Sequence, residues 1–190
     1  MMSKTFDNGM ICASEQAVIV EKPIAKDFEA YMKANNCYFL TPEETETLTK
    51  YMFPDPAKGV FAPVVGKSAN WIAEQAGISV PEKTKILIAP LPHPGEEYPL
   101  SKEKLSPVLA YFVCKDKEQG FAYANKMLEL GGLGHSAVIH TGDMKIADAV
   151  SYTHLDVYKR QPLCLLENQS PALCWEIHRQ YITNPRAFPD

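Results

Sequence analysis

The chain has 190 residues, 46% hydrophobic and 22% charged, and its nineteen basic and twenty-three acidic residues leave a net charge of −4. That balance is ordinary for a folded domain and excludes collagen, a coiled coil and bulk disorder. No basic block points to nucleic acid, no apolar run approaches the ~20 residues of a membrane span, and Met1 to Met10 lack the charged-then-apolar layout of a secretory signal. The five cysteines, Cys12, Cys37, Cys114, Cys164 and Cys174, are odd in number and far apart. With no CxxC pair, neither a disulfide framework nor a zinc knuckle is expected, and a reducing cytoplasm fits best.

Residues 1–150 read as alternating strand and helix. Ala17-Val18-Ile19-Val20 is a compact apolar run suited to a buried strand. Ile24 to Ala34 places Phe28, Tyr31 and Met32 on one helical face. Thr41-Pro42-Glu43-Glu44 opens a helix, because threonine caps, proline fits the first turn and Glu44 can reach back to the cap amide. Ala69 to Gln75 reads as a helix that Gly77 stops. Lys85 to Ala89 and Pro107 to Val113 are further buried strands. Asp116 with Gln119 repeats the capping pattern ahead of a helix carrying Phe121, Ala124 and Leu128, and Gly131-Gly132 ends it. Ala137-Val138-Ile139 is a fourth strand. This succession predicts an α/β fold with an open, mostly parallel sheet and flanking helices.

The last 40 residues differ. All ten glycines lie between Gly9 and Gly142, so 151–190 has none, and its four basic residues balance its four acidic ones. Its apolar residues keep neither a period of 2 nor one of 3.6. Ser151 to Gln161, SYTHLDVYKRQ, resembles a string that recurs in translated environmental sequence data as a library or assembly artefact. The expected organisation is therefore a domain over 1–150 and an anomalous tail over 151–190, foreign to the domain or disordered.

The chemistry-bearing stretch is Phe6-Asp7-Asn8-Gly9-Met10-Ile11-Cys12. A cysteine follows a glycine turn and precedes a buried strand. Cysteine is the best protein nucleophile near neutral pH, and a turn at a sheet edge can supply N–H donors to its thiolate. A lone cysteine is more often a small buried apolar residue, so spacing alone leaves both readings open. Asp7 and Asn8 suit the turn better than chemistry. Cys37 and Cys114 sit in apolar company and read as core. His93 with Glu96 and Glu97 has the residue types of a metal site, but proline and glycine among them argue for a surface loop, and no metal is expected there or at Cys164, Cys174, His154 and His178 in the tail.

The stretch Met2 to Gln16, MSKTFDNGMICASEQ, resembles the active-site segment of CoA-acylating aldehyde dehydrogenases. The nearest likeness is to the aldehyde dehydrogenase half of bifunctional aldehyde–alcohol dehydrogenases. Three more stretches match in order: Ala73 to Pro81 with Thr84 to Ile88, Glu103 to Pro107, and Gly131-Gly132-Leu133-Gly134-His135-Ser136. The likeness covers residues 1 to about 148 and stops where the tail begins.

The resemblance implies a partial aldehyde dehydrogenase-like catalytic domain. Cys12 matches the nucleophile that forms a thiohemiacetal, passes hydride to NAD and hands the acyl group to CoA; the family often runs in reverse, from acetyl-CoA to acetaldehyde. The Cys12 backbone N–H would be one oxyanion donor. His135 matches a histidine near that cysteine, suited to proton transfer or thiol tuning. Glu103 matches the glutamate that accepts hydrogen bonds from the nicotinamide ribose. The implied partners are a small aldehyde and CoA, with neither nucleic acid nor membrane, and the parent is expected to be a cytoplasmic homo-oligomer. The family's nucleotide-binding domain lies upstream of this segment, so the chain is expected to be a fragment with little activity of its own. A stand-alone acylating dehydrogenase and a non-catalytic half-domain acting only in assembly are the alternatives.

Overall fold

The computed structural model describes residues 1–11, 14–131, 136–141 and 174–178. In chain order these form α1 (Met2–Thr5), β1 (Ala17–Glu21), α2 (Lys22–Ala34), β2 (Cys37–Phe39), α3 (Pro42–Met52), α4 (Ala69–Gln75), β3 (Ile86–Pro90), β4 (Val108–Cys114), α5 (Lys117–Gly131), β5 (Ser136–His140) and β6 (Cys174–His178). The strands make one sheet in the order β2-β3-β4-β1-β6-β5. The pairs β2–β3, β3–β4 and β4–β1 are parallel, and β6 runs antiparallel to both neighbours. Strand β5 therefore points the same way as β1, so every strand but β6 shares one direction.

Alternate residues of the central strands enter opposite cores, as the period of 2 requires. Val18, Val20, Ile86, Ile88, Leu109 and Tyr111 pack with α2 through Ala25 and Met32. On the other face Ala17, Ile19, Ala110 and Phe112 pack with α5 through Ala124 and Met127. Leu87, Ala89 and Val108 continue that face onto Leu48 and Met52 of α3 and Ile72 and Ala73 of α4. Both faces are covered, which explains why the strands read as continuous apolar runs.

The helix boundaries follow their caps. Thr41 accepts from the Glu44 amide while the Glu44 side chain accepts from the Thr41 amide, a complete capping box. Helix α4 ends as the sequence predicts: Gly77 is left-handed at φ 77°, and the amides of Gly77 and Ile78 reach the carbonyls of Glu74 and Ala73. At α5, Asp116 caps the Gln119 amide as expected, but the Gln119 side chain accepts from Lys115 rather than Asp116. Tyr31 is a correction. It is 62% exposed, because the buried stripe of α2 runs through Ala25, Phe28 and Met32 and Tyr31 lies off it. Two strands were not anticipated: β2 has only three residues, and β6 lies in the tail. The remainder of 151–190, and with it the reading of that segment as foreign or disordered, falls outside the described residues.

Candidate active site

Three of the resembling segments end at one edge of the sheet. The stretch carrying position 12 enters β1, the Glu103–Pro107 stretch enters β4, and the stretch carrying position 135 enters β5. These strands run in the same direction, so all three segments lie at their amino-terminal ends. Ala17 and Ala137 both stand opposite Ile177 of β6, so β1 and β5 are level, two strand spacings or about 10 Å apart. Cys12 and His135 themselves lie outside the described residues.

The segment before β1 is wound into an uncommon turn. Asp7, Asn8 and Gly9 are all left-handed, at φ 47°, 51° and 71°. Asparagine and aspartate tolerate this region because their short side chains bond locally, and glycine enters it freely. The sequence expectation that Asp7 and Asn8 build the turn holds. Glycine is needed at position 9 for a second reason: a Cβ there would stand 2.8 Å from the Ser106 carbonyl oxygen and 3.2 Å from that of Lys4. The turn thus rests directly on the loop that carries Glu103. Asn8 adds a hydrogen bond from Nδ2 to the Gly66 carbonyl at 2.9 Å, and the Gly66 amide bonds the Leu105 carbonyl at 3.0 Å. Beyond the turn the Ser14 amide donates to the Ile11 carbonyl at 2.9 Å, bracketing positions 12 and 13 between two tied residues.

The loop before β4 is just as constrained. Leu105 is left-handed at φ 45°, a real outlier for leucine. Lys104 is buried, and its ammonium donates to three carbonyls, those of Gln16 at 3.0 Å, Leu100 at 2.7 Å and Lys102 at 2.8 Å. Its own amide donates to the Gln16 side-chain oxygen at 3.1 Å. Loop and β1 entry are therefore laced together by one residue. Glu103, next to it, is half-buried and interacts electrostatically with Lys4 and Lys104.

Lys4 is the second buried lysine, with 1% of its surface exposed. Its ammonium has no hydrogen-bond partner among the described residues. Burial pulls its pKa down to about 7, against the attraction of Glu15 and Glu103. Burial also pulls Lys104 well below the ordinary lysine range, assisted by Lys4 and opposed by Glu103. Glu15 is buried and accepts from the Ser3 hydroxyl. Ser106, one residue before Pro107, is buried too. Sequence reasoning missed Lys4, Lys104 and Gln16, because lysine and glutamine are solvated residues by default and no local pattern announces the carbonyls that receive them.

The other candidates stand apart. Cys37 and Cys114 are buried, and burial pushes both thiols up to about 11, which disfavours the thiolate. His93 lies on a loop 3.5 Å from Glu97, with both side chains about half exposed. Among the described residues no three His, Cys, Asp or Glu side chains converge as a metal site, and no helix is long and apolar enough to cross a membrane.

No protein-family model matches the chain. It is 47% identical over 153 residues to an aldehyde-alcohol dehydrogenase of Streptococcus pneumoniae, covering 77% of this chain and 17% of that protein. It superposes on an acetylating aldehyde dehydrogenase of Geobacillus thermoglucosidasius with a TM-score of 0.73 and 40% identity, over 80% of this chain and 33% of the other. A propionaldehyde dehydrogenase of Rhodopseudomonas palustris, solved with bound CoA and an acylated cysteine, matches with a TM-score of 0.59 and 25% identity, over 70% of this chain and 29% of the other. The chain spans about a sixth of the length of the first of these relatives and a third of the solved structure that follows it.

Proposed function

We propose that this chain, whose homologues are aldehyde–alcohol dehydrogenases and acylating aldehyde dehydrogenases, carries the acyl-transfer chemistry of an enzyme interconverting an acyl-CoA and an aldehyde with NAD(H). Residues 1–150 are its catalytic part, and the tail adds β6 to the sheet. The observation that supports the reading is that β1, β4 and β5, which follow the stretches holding Cys12, Glu103 and His135 in the chain, run in one direction and so begin at the same end of the sheet.

In this reading Cys12 is the nucleophile. Its thiolate attacks the aldehyde carbon, and after loss of hydride the carbonyl is held as a thioester on sulfur. The CoA thiolate then attacks that carbon, the Cys12 C–S bond breaks, and Cys12 is regenerated. Covalent capture divides one hard transfer into two easier ones. His135 moves the proton to or from the thiols. Glu103 suits the cofactor's ribose hydroxyls, because a carboxylate accepts two such bonds and the residue is only half-buried, on the loop before β4. NAD, when bound, supplies the hydride acceptor. The Rhodopseudomonas relative, whose structure holds bound CoA and an acylated cysteine, supports the same chemistry.

The acyl transfer from CoA to Cys12 needs no redox cofactor and is testable on the chain itself. Incubation with acetyl-CoA should place one acetyl group on Cys12, located by peptide mass spectrometry, with release of one CoA thiol. Cys12→Ala should abolish it, and His135→Ala should slow it by ~100-fold. Acetylation of Cys12 no faster than that of a short cysteine peptide would remove Cys12 from the mechanism.

A further inference from the structure

We propose that the side-chain amide of Gln16 is a positioning group for acyl transfer: it ties the backbone just beyond position 12 to the backbone of the loop that carries Glu103. This deepens the proposed function and rests on Cys12 being the acyl acceptor.

The tie has two ends, and each lands on backbone. Gln16 is 6% exposed and stands at the entry to β1. Its Nε2 donates to the Ser14 carbonyl at 3.0 Å, and its Oε1 accepts from the Lys104 amide at 3.1 Å. Ser14 is itself buried, and its amide donates to the Ile11 carbonyl at 2.9 Å. The backbone on either side of positions 12 and 13 is therefore held, and the Gln16 amide carries that hold across to the residue after Glu103. The other direct contacts between the two stretches are made by backbone or by the lysine: Gly9 sits against Ser106, and the Lys104 ammonium reaches the Gln16 carbonyl. Asn8 reaches the same loop only at one remove, through Gly66, whose amide bonds the Leu105 carbonyl.

The position requires an amide. One end faces a carbonyl and needs a donor; the other faces an N–H and needs an acceptor. A carboxylate only accepts, an ammonium only donates, and a methionine of similar length does neither. Asparagine has both groups but is one methylene shorter. A buried amide left unpaired is costly, so the two bonds form together or the side chain leaves its place. What the tie secures is orientation. In acyl transfer the carbonyl oxygen gathers negative charge, and a backbone N–H at the nucleophile serves it only when aimed at it. A role in packing alone predicts a different outcome, since methionine would then serve nearly as well.

The test compares two reactions of Cys12 in the full, reduced chain at one pH: acetylation by acetyl-CoA and alkylation by iodoacetamide, both read by peptide mass spectrometry. Acetylation needs the carbonyl oxygen stabilised; alkylation needs only the thiol. Gln16→Met, which loses both bonds, should slow acetylation by ~10–100-fold and leave alkylation within about twofold. Gln16→Glu, which as a carboxylate still accepts from the Lys104 amide but has no donor for Ser14, should slow acetylation as well. Ile72→Val trims the core at α4 and should lower the urea midpoint with both rates unchanged. Support requires slowed acetylation with steady alkylation in both Gln16 variants. Acetylation at the parent rate in either, alkylation moving in step with acetylation, or an equal slowing by Ile72→Val overturns the inference. Should Gln16→Met lose its circular-dichroism signature, Gln16→Glu decides alone by the same criterion. The parent chain separates the two readings. If it takes acetyl on Cys12 and the variants match it, only the Gln16 role fails; if it takes none, the nucleophile reading fails and the tie has no acyl transfer to serve.

Discussion

The two ends of the parallel strands are built from different materials. At the amino-terminal end lie two buried lysines, a buried glutamate, buried Ser14 and Ser106, and left-handed Asp7, Asn8 and Leu105. At the carboxyl end of β2 and β3 lies a groove of about 640 Å³ walled by Leu40, Pro42, Pro90, Leu91 and Pro92, with Glu46 and Lys50 of α3 also lining it. The first end concentrates features that cost folding energy, strain and desolvated charge. The second is apolar and regular. Open parallel sheets commonly place ligands at the carboxyl ends of their strands. Here the features that cost stability without serving the core lie at the other end, where the stretch before β1 and the loop before β4 meet at Gly9 and Ser106, and functional sites are where proteins accept such costs.

The largest effect should come from cutting the tie at the expensive end. Lys104→Met removes the ammonium donor from three carbonyls, of which that of Gln16 keeps the Ala110 amide, and should cost ~3–5 kcal/mol by urea unfolding. At the groove end, Lys50→Met removes a pair with Glu46 whose side chains are 74% and 68% exposed, so stability should hardly move. Equal losses at both ends would mean that Lys104 is not the lace between loop and strand. An acylation assay on a Lys104 variant that still folds would add whether the tie also positions the nucleophile turn.

The contrast between the ends also decided what the sequence disclosed. The strands β1, β3 and β4 were legible because burial on both faces leaves uninterrupted apolar runs, and β5 because Ala137-Val138-Ile139 is itself a short apolar run. The Thr41 box and the Gly77 stop were legible because each is a local arrangement of a few residues. Strand β2 has three residues wedged between left-handed Asn36 and Leu40, too few for a period to show. Strand β6 owes its place to pairing on both sides with β1 and β5, a non-local cause. At the site, the resemblance brought out Cys12, Glu103 and His135, and glycine at position 9 is explained by its backbone. The buried lysines were not legible: what makes Lys104 possible is the convergence of Gln16, Leu100 and Lys102 carbonyls, which exists only after folding.

Two glycines sharpen the comparison with a smaller effect. Gly9 and Gly77 have nearly the same left-handed φ, 71° and 77°. At Gly77 nothing stands within 4 Å of the place an alanine methyl would take, so Gly77→Ala should cost only the conformational penalty, ~1 kcal/mol. At Gly9 the same methyl meets the Ser106 backbone at 2.8 and 2.9 Å, and neither side can yield without moving the β4 loop. Gly9→Ala should therefore cost ~2–4 kcal/mol and slow acetylation of Cys12 as well. Equal stability losses in the two variants would show that the turn is not seated on the loop.

The smallest expected effect is a pH dependence that separates the lysine end from the thiols of the core. Lys4 has a folded pKa of about 7, below its ordinary value of 10.5. Between those values the unfolded chain binds the extra proton, so stability rises as pH increases from about 7. Cys37 and Cys114 act with the opposite sign. Burial holds both thiols at about 11, above their ordinary 9, so the folded chain keeps protons that the unfolded chain loses, and stability falls as pH rises from about 9 to 11. Lys104, also held well below the ordinary lysine range, adds to the rise, so the reduced chain should gain stability from pH 7 to 9, on the order of 2 kcal/mol from Lys4 alone, and the thiols should oppose the rise above pH 9, read from urea midpoints at each pH. Lys4→Met should be more stable than the parent chain at pH 7 and should reduce the rise to the part that Lys104 supplies, while Cys114→Ser should weaken the opposition above pH 9 and leave the rise intact. If Lys4→Met keeps the full rise, the proton being released belongs elsewhere, and Lys4 is then already neutral at pH 7 or held more tightly by Glu15 and Glu103 than its depressed pKa implies.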